Sequence, residues 1–137
     1  MNPLVDKSEY DISAFEEWKW LAGEDSTPLF LTAFGDWIFS DVKAICLCSP
    51  TAFESYQIAT VIEEIDWAFE DIDERAPWVY PALLRELEES GNNRVSSKVF
   101  HFVRPLFLGG SPTVSNVQQL DIHQYFQGMQ KLLQQVR

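Results

Sequence analysis

Between residues 29 and 59 the chain passes through four short apolar stretches, each closed by a turn signal before a helix of useful length could form. Leu29–Ala33 and Trp37–Ser40 are separated by Gly35-Asp36, and Asp41–Lys43 leads into Ala44–Cys48. Ser49-Pro50-Thr51 interrupts the chain again before Tyr56–Ala59. Runs of this length bounded by Gly, Pro, Asp and Ser are strands, and turns this short join them as an antiparallel meander. Ala44–Cys48 is apolar at every position. Both its faces are therefore expected to be covered, which places it inside the sheet.

Helical signals flank the strands. Ser13 and Glu16 stand at capping-box spacing and predict a helix through Ala22, closed by Gly23, with Phe15, Trp18 and Leu21 or Ala22 inward. Residues 1–12 are mostly polar and without period, so they are expected to be a loosely held lead-in. Pro81–Ser90 turns Leu83, Leu84 and Leu87 to one side and ends at Gly91. Val99–Val103 and Asn116–Leu120 are further short strands. Asp121 caps a last helix in which Ile122, Phe126, Met129, Leu133 and Val136 keep a helical period. Its outer face is expected to carry Gln124, Gln127, Gln130, Gln134 and Gln135. The predicted fold class is α+β, with an antiparallel sheet of about five or six strands backed by helices in a single domain, residues 1–137.

The segment from Thr60 to Arg75 is the most informative. Thr60 and Glu63 form a second capping box. At about 100° per residue, Val61, Ile62, Ile65, Ala68, Phe69 and Ile72 share one arc of the wheel. Glu63, Glu64, Asp66, Glu70, Asp71, Asp73 and Glu74 occupy the opposite arc. Trp67 breaks the partition: it falls among the carboxylates, with Glu63, Glu64, Glu70 and Asp71 three and four positions away. A Trp left wet on a charged face is the residue type enriched at interface hot spots. The alternative is that Trp78 or the lead-in covers it.

The charge points the same way. Twenty-one Asp and Glu oppose ten Lys and Arg, a net charge of −11. Residues 1–75 hold 17 acidic and 4 basic side chains, whereas residues 76–137 hold 4 and 6. Such a surface repels phosphate backbones and anionic lipid, so it argues against direct nucleic-acid and membrane binding and favours a cationic partner. No apolar run approaches the length of a membrane span, and no signal peptide is legible. The two Cys, 46 and 48, suit a reducing compartment and a cytoplasmic location.

Catalytic and cofactor signatures are missing. There is no G-x-S-x-G elbow, glycine-rich phosphate loop or H-E-x-x-H. Cys46 and Cys48 face one side of a strand and read as buried structural thiols, and His101 and His123 show no ligand spacing. Glu70, Asp71, Asp73 and Glu74 lack the alternation and glycine of a calcium loop and read as a solvated helix face. No metal, cofactor or catalytic residue is predicted.

Two blocks carry a family resemblance. Glu17-Trp18-Lys19-Trp20-Leu21 is followed by Pro28-Leu29-Phe30-Leu31-Thr32-Ala33-Phe34-Gly35-Asp36. Later come Phe102-Val103-Arg104-Pro105-Leu106-Phe107-Leu108-Gly109-Gly110 and Ser115-Asn116-Val117. In this order, across residues 16–137, they resemble the type VI secretion immunity-protein C-terminal domain family of the SUKH (Smi/Knr-like) superfamily. The resemblance implies an antiparallel sheet backed by helices and a non-enzymatic role, the neutralisation of a toxin delivered between bacteria, often a nuclease. It transfers no site residues; Phe34, Gly35, Asp36, Pro105 and Gly110 read as turn and packing positions.

The resulting expectation is an immunity-type protein that binds a cognate, basic toxin through Trp67, Glu63, Glu64, Asp66, Glu70, Asp71 and Glu74. The competing readings are a small carboxylate-based or metal-dependent hydrolase, and an adaptor that oligomerises through the Gln-rich last helix.

Overall fold

Apolar residues on both faces of Ile45–Ser49 (β4) force it into the interior of a sheet. The computed structural model, which describes residues 1–136, pairs it on both sides. Leu4–Val5 (β1), Thr27–Thr32 (β2), Trp37–Ser40 (β3), β4 and Glu54–Ala59 (β5) lie in chain order as one antiparallel meander. In register, Trp37 pairs with Cys48 and Phe39 with Cys46. This puts Trp37, Phe39, Cys46 and Cys48 on one face, with Ile38, Ile45 and Leu47 on the other.

Each face has its own cover. Phe15 and Trp18, from the 3-10 turn Ile12–Trp18, join Ile122, Tyr125, Phe126, Met129 and Leu133 on the first face. The latter five belong to the last helix, Ile122–Val136 (α5). Phe15 stacks on Trp37 at 4.7 Å, within the range of favourable ring pairs. The second face is covered by Ile65 and Phe69 of Ile62–Glu70 (α2) and by Trp78.

A further two-stranded sheet, Lys98–Phe102 (β6) with Val117–Asp121 (β7), stands apart from the meander. It packs through Phe100, Phe102 and Val117 on Phe34 and on Leu83, Leu84 and Leu87 of Pro81–Glu89 (α4). The Phe100 amide donates to the Ala33 carbonyl at 2.8 Å, tying this hairpin to the β2–β3 turn. The architecture is α+β as the sequence predicts, with the later strands forming a separate hairpin.

Several local expectations need correction. The opening residues are tied down: Leu4 and Val5 pair with Thr32 and Leu31, and Val5 is buried. The first helix is a 3-10 turn capped by Asp11, whose Oδ1 accepts from the Ser13 amide, followed by one α-turn, Lys19–Ala22 (α1). Gly23 closes it at φ 117°. In α5, Asp121 caps as predicted, accepting from the His123 and Gln124 amides. Gln130, however, is buried and accepts from Trp20 Nε1 at 3.1 Å, whereas Val136 is exposed. An apolar stripe tells which side faces inward, but a half-buried indole N–H makes an amide the better neighbour there.

Candidate functional site

The acidic segment is not one continuous helix. α2 ends at Glu70, Asp71 adopts φ −151° and ψ 80°, and a second short helix, Ile72–Arg75 (α3), follows. Beyond Glu70 a single helical wheel no longer applies, so the acids divide. Glu63, Glu64, Asp66 and Glu70 stand exposed on α2, and Glu74 stands exposed on α3. Asp71 is half-buried at the break. Asp66, Glu70, Asp71 and Asp73 line a cleft against the first strand.

The start of α2 also departs from expectation. Val61 is the cap residue and provides no side-chain bond. The box works one position later, with Glu64 Oε1 accepting from the Thr60 amide at 3.2 Å. With this start, Val61 and Ile62 face solvent, while Ile65 and Ala68 hold the buried positions.

Trp67 is 54% exposed. Neither Trp78 nor the lead-in covers it, because Trp78 turns inward to meet Phe69 edge-on at 5.7 Å. Its cover is Arg75. The guanidinium carbon lies 4.4 Å from the Trp67 ring centroid, and Nη1 donates to the Trp67 carbonyl at 2.9 Å. The same Nη1 reaches Glu70 Oε2 at 3.4 Å. Arg75 thus satisfies a carbonyl near the end of α2 and stacks on the indole, two roles that suit its planar cation. Periodicity places Arg75 only at the end of a helix; its sign beside seven acids is the signal in the sequence that points to this role.

The remaining titratable groups build no metal centre: among the described residues no three His, Cys, Asp or Glu come together to hold a metal ion. Cys46 and Cys48 are buried and free, and burial pushes both thiols up, away from the reactive thiolate. His101 is half-buried in β6, with its imidazole pushed down by burial. No described helix is long and apolar enough to cross a membrane.

The family profile described as T6SS immunity protein Tdi1, C-terminal, matches residues 62–135, more than half of the chain. The chain belongs to this immunity family. The matched region of the Tdi1 C-terminal family opens at the first residue of α2 and closes within α5. It includes the acidic segment, Trp67, Arg75 and the Pro105–Gly110 block, while the Thr32–Asp36 block precedes it. Membership makes the chain a type VI secretion immunity protein, and a protein of that kind binds a cognate toxin. Placement in the SUKH superfamily is consistent with the match. Comparisons with curated proteins and with solved structures give no match.

The blocks behind the resemblance are structural. Phe34 is buried between Phe100, Phe102 and Tyr80. Gly35 has φ 79°, and a Cβ there would meet the Tyr125 ring. A Cβ on Gly110 would strike the Arg104 carbonyl.

Proposed function

We propose that this immunity protein neutralises a basic toxin, of the nuclease class, without catalysis, by laying the acidic outer face of α2 and α3 over the toxin's nucleic-acid-binding surface in the cytoplasm. The interface is Trp67 with Glu63, Glu64, Asp66, Glu70, Asp71 and Glu74. The observation that carries the reading is Trp67 itself, more than half exposed, backed by Arg75 and surrounded by carboxylates. An indole in that setting supplies apolar contact area, and the surrounding charge steers a basic partner and rejects an acidic one. Arg75 holds the ring against the helix, so Trp67 is ordered before the partner arrives and less side-chain entropy is lost on binding.

The test is the affinity for the cognate toxin, by calorimetry or biolayer interferometry. Trp67→Ala and Glu70→Lys are each expected to weaken binding by about thirtyfold, the roughly 2 kcal/mol of a hot spot. Unchanged affinity in both variants abandons the proposed interface.

A further inference from the structure

On the side of α2 away from Trp67 lies a cleft of about 570 Å³, between the β1–β2 edge and the α2–α3 break. Its walls include the apolar side chains of Leu4, Phe30, Phe69 and Ile72, and its rim carries Asp66 and Asp71. Such a volume lies within the roughly 300–1,000 Å³ of ordinary binding pockets.

Two of its four carboxylates lack an ion pair among the described residues. Arg75 pairs with Glu70 and Arg85 with Asp73, but Asp66 and Asp71 have none. Asp71 is the C-cap of α2, whose last turn contains no basic residue, and also the N-cap of the short α3, so the two helix ends oppose each other at this carboxylate. The face of Phe30 already takes one ammonium, Lys7 Nζ, at 5.4 Å from the ring centroid.

From this juxtaposition we propose that the cleft seats a segment of a partner protein in which an apolar side chain is flanked by Lys or Arg. A wholly apolar occupant would strip water from two unpaired carboxylates. A second copy of this chain would bring a further net charge of −11 to the same place. The inference rests on reading the protein as a binder of a basic partner, and it places an anchoring contact away from Trp67.

The experiment titrates the ¹⁵N-labelled full chain with two peptides of equal charge, Lys-Arg-Leu-Phe-Lys-Arg and Lys-Arg-Ser-Gly-Lys-Arg. The first is expected to shift the amides of Leu4, Phe30, Phe69 and Asp71 and to bind about tenfold tighter, the effect of roughly 55 Å² of apolar burial. The double variant Asp66→Asn, Asp71→Asn, whose amide spectrum reports its fold, is expected to weaken the first peptide about fivefold or more. Equal affinity for the two peptides, shifts confined to Trp67 and Arg75, or an unaffected double variant would each overturn the proposal. The free-peptide readout separates this proposal from the preceding one. A toxin indifferent to Trp67→Ala and Glu70→Lys removes the Trp67 interface and leaves the cleft result standing.

Discussion

Asp36 is a carboxyl group with almost no access to water, at the turn that joins β2 to β3. Its backbone is well held: its amide donates to Thr32 Oγ1 at 3.2 Å, and its carbonyl accepts from the Thr32 amide at 2.8 Å. Burial pushes the side chain up to about 8, with the Ser49 hydroxyl opposing the shift and Glu54 adding to it. Cys48, Tyr56, Tyr80 and Tyr125 are raised in turn, by burial first and then by this neighbour. A folded value above the ordinary 3.8 means that the folded state binds the extra proton. Its stabilising contribution is complete below 3.8 and is lost as pH rises through about 8. Asp36→Asn removes the titration, so the variant gains on the parent by up to about 1.4 kcal/mol per pH unit between these limits. Urea unfolding of both proteins at pH 5 and pH 8 checks this; a difference that does not widen with pH refutes it. Next to it, Gly35 combines positive φ with the Tyr125 ring. Gly35→Ala is expected to cost about 2–4 kcal/mol, from backbone strain and overpacking together, read as a fall in the denaturation midpoint.

At the scale of elements, legibility followed the range of the interactions involved. The strand runs, the inward leucines of α4 and the Asp121 cap were readable because apolar period and capping are local. The tethering of residues 1–9 was not, because it depends on partners far along the chain. Glu9 takes a forked bond from Arg94, Nη1 at 2.7 Å and Nη2 at 3.0 Å, and accepts from the Ser97 amide at 2.8 Å. No local pattern signals a contact across 85 residues. The break at Asp71 was missed for a related reason: the period of acids and apolar residues continues through it, and the interruption shows only in the backbone. For the candidate site, the sequence exposed the anomaly of Trp67 but not its Arg75 cover or the cleft behind it. The Glu9 clamp gives its own prediction. The Arg94 fork, helped by the Ser97 amide and opposed by burial, holds the carboxyl at about 2, below the ordinary 4.5. The stabilisation is therefore present above 4.5 and lost as pH falls through about 2. Glu9→Gln at pH 7 is expected to cost about 2–3 kcal/mol, because a nearly buried guanidinium loses its counter-ion. Hydrogen exchange at Leu4 and Val5 should accelerate in the variant, and exchange as slow as in the parent would show that β1 pairing alone holds the segment.

Across the whole molecule the charges are sorted by role. Arg85 and Arg94, from the weakly basic second half, pair with Asp73 and Glu9 of the acidic first half, and the N-terminal amine pairs with Glu88. These contacts tie the halves together, yet Glu63, Glu64, Asp66, Asp71 and Glu74 have no ion pair among the described residues. Five carboxylates without an ion pair therefore fall between residues 63 and 74, on α2, α3 and the break between them, the segment with which the family match begins. Charge of this kind acts at a distance of about a Debye length, roughly 10 Å at 0.1 M salt and 3 Å at 1 M. The indole acts only in contact. The two effects should separate kinetically when the cognate toxin binds. Raising salt from 20 to 500 mM is expected to slow association about tenfold or more and to change dissociation little. Glu63→Lys with Glu64→Lys should reproduce the slow association at low salt, whereas Trp67→Ala should act mainly by speeding dissociation. Stopped-flow association and surface-based dissociation measure the two rates independently. An association rate flat across this range of salt would mean that the acids of α2 and α3 do not steer the encounter, leaving Trp67 and the apolar cleft to account for affinity.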